Sequence, residues 1–95
     1  MRDYELVVIF NPDIAEEDVP AAISKVTDFI TSRGGAVGAV DRWGKRKLAY
    51  PIKRFKEGNY VLGQLKLEPG KAAELEANLR MSESILRHLL VQLNG

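Results

Sequence analysis

Apolar residues along the chain recur at two different periods, and the changes between them mark the elements. Tyr4-Glu5-Leu6-Val7-Val8-Ile9-Phe10 is rich in β-branched and aromatic residues and stops at Asn11-Pro12. It predicts a strand with Leu6 and Val8 on the core face. Val19, Ile23, Val26 and Ile30 then recur at helical spacing and make one apolar stripe. Pro20 belongs in the first turn of that helix, where its missing N–H costs little, and the acids Glu16, Glu17 and Asp18 lie near the positive end of its dipole. Gly34-Gly35 supplies the stop. From Ala36 to Ile52 the pattern is extended; Gly44 marks a bulge or bend, and Pro51, unable to donate to a ladder, puts this strand at a sheet edge. Lys53 to Asn59, containing Gly58, reads as a hairpin loop. Tyr60 to Glu68 alternates, with Val61, Leu65 and Leu67 on one face and Tyr60, Leu62, Gln64 and Lys66 on the other.

Pro69-Gly70 ends that strand, and Lys71 to Arg80 forms a short helix with the stripe Ala72, Leu75 and Leu79. After Ser82-Glu83-Ser84 a last strand runs from Ile85 to Leu93; His88 and Gln92 alternate with Leu86 and Leu90 along it, so the pattern does not choose its core face. The order βαββαβ is the split βαβ arrangement, an α+β fold with two helices on one face of a four-stranded antiparallel sheet. Ninety-five residues, 45% of them hydrophobic, suit one domain over residues 1–95 with one shared core.

Net charge is +1, but its distribution is uneven. Arg42, Lys45, Arg46, Lys47, Lys53, Arg54 and Lys56 fall within 15 residues that hold no acid, half of the 14 bases of the chain. The rest of the molecule carries a net −6. A cationic segment on an acidic body attracts polyanions by Coulomb attraction and counterion release. The same charges would also guard an edge strand against aggregation.

The chemistry of catalysis is missing. There is no cysteine, and His88 is the single histidine, so thiolate sites, histidine triads and histidine-based metal sites lack partners. No phosphate-cradling glycine motif is present, since Gly34-Gly35 follows a helix instead of opening one. Glu74 and Glu76, two apart on a helix, cannot face the same point, and Glu16, Glu17 and Asp18 read as helix-start acids, not metal ligands. The expectation is a chain with no catalytic residues, metal, cofactor or small-molecule substrate. Asp3 and Glu5 stand where a signal peptide would place its apolar stretch, and the longest aliphatic and aromatic run, Leu6 to Phe10, is too short to span a bilayer as a helix; a soluble intracellular chain without membrane contact is expected. Tyr4 and Tyr60 are placed together on the open sheet face, too thin a platform for base stacking, and Leu62 beside them fits either cover by a protein partner or a solvated sheet with scattered apolar residues.

Trp43-Gly44-Lys45-Arg46-Lys47-Leu48-Ala49-Tyr50-Pro51-Ile52 closely resembles the signature of the bacterial small-subunit ribosomal protein six family. The similarity continues through Met1-Arg2, Tyr4-Glu5, Asn11-Pro12, Gly34-Gly35, Gly58, Tyr60, Leu79-Arg80 and Arg87. The resemblance implies a ferredoxin-like fold and a structural role in the cytoplasmic ribosome. It implies binding to the central domain of small-subunit ribosomal RNA as a heterodimer with small-subunit ribosomal protein eighteen. The residues expected on RNA are then Arg2, Arg42, Lys45, Arg46, Lys47, Lys53, Arg54, Lys56, Arg80 and Arg87, the last two grouped as a second cationic site; Arg46 and Lys47 point to opposite sides of the strand. Tyr4, Tyr50, Pro51, Ile52, Tyr60 and Leu62 are expected at the protein interface. The alternative is a stand-alone interaction or ligand-sensing module on the same fold, which would leave the basic hairpin without a purpose.

Overall fold

Strand β1, Arg2–Phe10, is the centre of the molecule. Its even residues Tyr4, Leu6, Val8 and Phe10 are all buried, as a strand with period two requires when one face is covered. In this computed structural model, which describes residues 1–93, α1 follows at Val19–Ser32, β2 at Ala36–Ile52, β3 at Phe55–Leu67, α2 at Pro69–Met81 and β4 at Ile85–Gln92. Residues 94 and 95 of the expected domain lie outside the described residues. The four strands pair antiparallel in the order β2-β3-β1-β4, so β2 is indeed at an edge. This is the ferredoxin-like α+β arrangement.

The acids Glu16–Asp18 form a 3₁₀ turn that leads into α1 rather than its first turn, and Pro20 sits at the start of the helix. The predicted stripe faces the sheet, with Val19, Val26 and Ile30 buried. Behind Ser32, Gly34 adopts φ +81° and donates its N–H to the Thr31 carbonyl, while Gly35 N–H reaches the Ile30 carbonyl. Those bonds use carbonyls that the helix end would leave orphaned. Helix α2 begins at Pro69, two residues earlier than the pattern suggested, because proline at the first helical position loses no bond. Arg33 of α1 donates Nε to Glu74 of α2 at 3.2 Å, and Lys71 lies 3.3 Å from the same carboxylate. The hydrogen bonds from Lys71 and Arg33 hold the Glu74 carboxyl below its usual range.

One core cluster joins α1, α2 and one face of the sheet: Val26 and Ile30 meet Leu75 and Leu79 over Tyr4, Leu6, Val8, Phe10, Val61, Leu65, Leu67 and Ile85. Tyr4 therefore belongs to the core at 5% exposure, and its expected place on the open face is wrong. The alternation that put Leu6 and Val8 inside puts Tyr4 inside with them. The core face of β4 is now settled. His88 and Leu90 register against Val8 and Leu6, facing the helices, and His88 Nε2 lies 3.2 Å from Glu76 Oε1 of α2. Arg87, Leu89 and Val91 face the open side.

A small apolar cavity of about 30 Å³ remains between α1 and the sheet, lined by Leu6, Val8, Ile23, Val26, Val61 and Gly63 among others. A methyl group on Gly63 would meet no atom within 4 Å. Gly63→Ala is expected to stabilise the fold by about 0.5–1 kcal/mol, from lower unfolded-state entropy and added packing. For a domain of this size that raises the thermal midpoint by roughly 2–8 °C. An unchanged or lowered midpoint in a calorimetric scan would contradict the cavity's description.

Candidate nucleic-acid interface

The basic segment is a two-stranded ribbon. Phe10, the last residue of β1, pairs with Asn59, so the part of β2 and β3 beyond Asn59 extends past the body of the sheet. The loop expected over Lys53 to Asn59 is a two-residue turn, Lys53-Arg54, closed by the Ile52–Phe55 pair. The charged sequence concealed this strand because a projecting ribbon bathes both faces in water and does not need apolar alternation. Lys53 takes φ +56° at the first turn position, a place hairpins usually give to glycine.

Which way each cation faces is decided by a bulge. Arg42 pairs with Val61 and Gly44 with Tyr60, leaving Trp43 and Gly44 opposite a single residue. Gly44 supplies φ +80°, which a side chain would resist. One extra residue inverts the facing of everything after it. Lys45 and Lys47 thus join Arg42 on the helix side, while Arg46 falls on the open side, as expected for neighbours in a strand. The base of the ribbon is pinned by Gly58, where a methyl would collide with Ile9 Cγ2.

On the helix side the ribbon borders a groove lined by Pro12, Asp13, Lys45, Lys47, Arg54, Phe55, Lys56 and Glu57. Four basic and two acidic residues border it, and by strand alternation Lys56, between Phe55 and Glu57, turns its side chain toward the open side. Among the described residues Lys45, Lys47 and Lys56 have no carboxylate within ion-pair distance, and Arg54 lies over the Phe55 ring at 4.9 Å. Arg42, in contrast, is held by Glu16 at 2.9 Å. Unpaired, exposed ammonium groups along one projecting ribbon are suited to phosphate oxygens, each acting as a point charge without reading a base.

The other expected cations do not join this groove. Arg2 is exposed at the far end of β1, and Lys53 is exposed at the ribbon tip. Arg80 is exposed in the last turn of α2, on the helix side, whereas Arg87 faces the open side. The sheet separates them, so the pairing of Arg80 with Arg87 as one site is not realised. Nearness in sequence misled because the turn between them reverses the chain and places the strand in another layer.

The open side gathers a second constellation. Trp43 stacks on Tyr60 with ring centroids 6.4 Å apart and planes at 13°, and the Arg46 guanidinium lies over Trp43 at 5.6 Å. The Arg87 Nη1 donates to Tyr50 Oη across the end of the sheet. Leu62 is half-buried on this face, Ile52 half-buried at the turn, and Tyr50 and Pro51 exposed. Trp43 and Leu89, 47% and 57% exposed, extend the apolar surface beyond the residues expected there. Alternation alone would have found Leu89 had the core face of β4 been known. No group of three or more histidine, cysteine, aspartate or glutamate side chains that would hold a metal occurs among the described residues, and no helix among them is long and apolar enough to cross a membrane.

A family model described as Ribosomal protein S6 matches residues 3–92. Small ribosomal subunit protein bS6 of Moorella thermoacetica is 42% identical over 93 residues, covering 98% of this chain and 95% of that protein. Its counterpart from Desulforamulus reducens is 41% identical over 92 residues, covering 97% of each. The crystal structure of 30S ribosomal protein S6 from Thermotoga maritima superposes with a TM-score of 0.90 at 32% identity, covering 97% of this chain and 87% of that one. The C-terminal domain of the MgtC protein from Mycobacterium tuberculosis, at TM-score 0.59 and 18% identity over 100% of this chain and 90% of its own, shares the fold alone.

Proposed function

The chain belongs to the ribosomal protein S6 family of the small ribosomal subunit, a structural constituent and not an enzyme, and on that footing we propose that it binds the central domain of small-subunit ribosomal RNA jointly with small-subunit ribosomal protein eighteen. The observation that carries the RNA part is the groove of Lys45, Lys47, Arg54 and Lys56 on the projecting ribbon. Among the described residues its lysines have no carboxylate within ion-pair distance, and a ribbon that stands clear of the sheet reaches a phosphate backbone without dragging the acidic body of the domain against it. The partner part is supported by the open sheet face, where Tyr60, Leu62, Trp43 and Leu89 leave an apolar surface next to exposed Tyr50 and Pro51. The ribbon's groove and the open sheet face thus serve two ligands.

Tagged in cells, the chain is expected to co-sediment with small ribosomal subunits, and mild nuclease digestion should leave it on fragments of the central domain. Recovery only at the top of the gradient, or on fragments from another RNA domain, would overturn this reading.

A further inference from the structure

Three zones follow one another along the open face of the sheet. At the ribbon end lie Arg46 and Arg87, each over an aromatic ring. In the middle, register aligns Asp41, Leu62, Val7 and Leu89 in one row across all four strands. One row further from the ribbon, Glu5 lies beside Gln64 and Val91. Asp41 is exposed at the β2 edge and Glu5 is half-buried. Asp3, further along the same face, is answered by Lys66 at 3.9 Å, but among the described residues neither Glu5 nor Asp41 has a cation within ion-pair distance.

Covering this face with a purely apolar partner would strip water from two unpaired carboxylates, a cost that apolar contact does not offset. Resting on the reading that a protein partner covers the open face, we infer that Glu5 and Asp41 select its docking segment: an apolar stretch bearing two lysine or arginine side chains, one for each carboxylate. Two strand spacings and one row of residues separate the two positions, about 12 Å between Cα atoms. That is about seven or eight residues of helix, so cations two turns apart on one helical face meet both acids while the residues between them cover Leu62.

The test is titration of the full chain with small-subunit ribosomal protein eighteen of the same organism, followed by the fluorescence of Trp43, the only tryptophan. The double variant E5Q/D41N is expected to bind at least tenfold more weakly than the natural chain and to lose most of the salt dependence, with an unchanged melting curve as proof of folding. D3N, whose carboxylate already faces Lys66, is expected to stay within twofold. Binding by E5Q/D41N within twofold of the natural chain would overturn the inference and leave the partner standing. Absence of binding by the natural chain would overturn both.

Discussion

A chain with Lys45, Lys47, Arg54 and Lys56 all replaced by glutamine is expected to bind a central-domain fragment of small-subunit ribosomal RNA roughly a hundredfold more weakly than the natural chain near 0.1 M salt. Each phosphate neutralised on a duplex adds a log–log salt slope of about −0.9, so four contacts predict about −3.6 and a loss of roughly 150-fold between 50 and 200 mM salt. In the variant the measured slope is expected to become shallower by about that amount. The same four residues line one groove, and among the described residues no carboxylate lies within ion-pair distance of its three lysines, so their removal takes no such pair with it. Asp13 and Glu57 in the groove temper the attraction, which is why the expected loss is set below the full counterion-release limit. Filter binding at both salt concentrations, with protein eighteen present, measures the two slopes. Parallel lines for variant and natural chain would place the phosphate contacts elsewhere, with Arg2, Arg80 and the open-side arginines the remaining cations to examine.

Legibility from the sequence followed the reach of local rules. The helical stripe Val19, Ile23, Val26 and Ile30 and the alternation of β3 are local facts, and both hold in the fold. The face of β2 is not local. Register shifts between Val37 and Val40 and again between Arg42 and Gly44 each break the alternation, so counting residues from Val37 cannot say whether Lys45 or Arg46 joins the helix side. Gly44 hints at the second shift, and Gly38 lies within the first. Tyr4 is the opposite case. Its parity with Leu6 is a local rule that places it in the core, and burial there overrides any pairing with Tyr60 on the open face. For β4, apolar residues occur on both faces, Leu86 and Leu90 in one set and Leu89 and Val91 in the other, and only pairing with β1 decides between them.

These differences share one cause. Positions fixed by burial against a neighbouring element are specified by composition and period, while positions on a ribbon that faces water twice are specified by turn and bulge geometry. The site lies mostly on the second kind. The structure accordingly leaves the identity of the cations as the sequence has it and redistributes them: Lys45 and Lys47 on the helix side of the ribbon with Arg54 and Lys56 bordering the same groove, Arg42 tied to Glu16 at the margin, and Arg46 and Arg87 among aromatics on the other side.

Phe10→Ala separates stability from binding in the opposite sense to the cation variant. Phe10 is 2% exposed, closes the end of β1 between Asn59 and Ile85, and is in the core cluster with Val26 and Leu79. Truncating a buried phenylalanine removes its transfer free energy and leaves a cavity, together about 3–5 kcal/mol. Against a total of roughly 5–15 kcal/mol for a domain, that is a large fraction. Urea denaturation is expected to show a midpoint lowered with little change in slope, because the surface exposed on unfolding is nearly the same. Leu75→Ala and Leu79→Ala, equally enclosed, are expected to cost about 2–5 kcal/mol each. None of these side chains faces the groove, so the folded fraction of Phe10→Ala at low temperature should retain its RNA salt slope even as the midpoint falls. A cost under about 1 kcal/mol would mean that the site collapses around the smaller side chain and that Phe10 is not a principal core residue. A normal midpoint accompanied by a lost salt slope would instead show that Phe10 sets the ribbon's direction more than it fills the core.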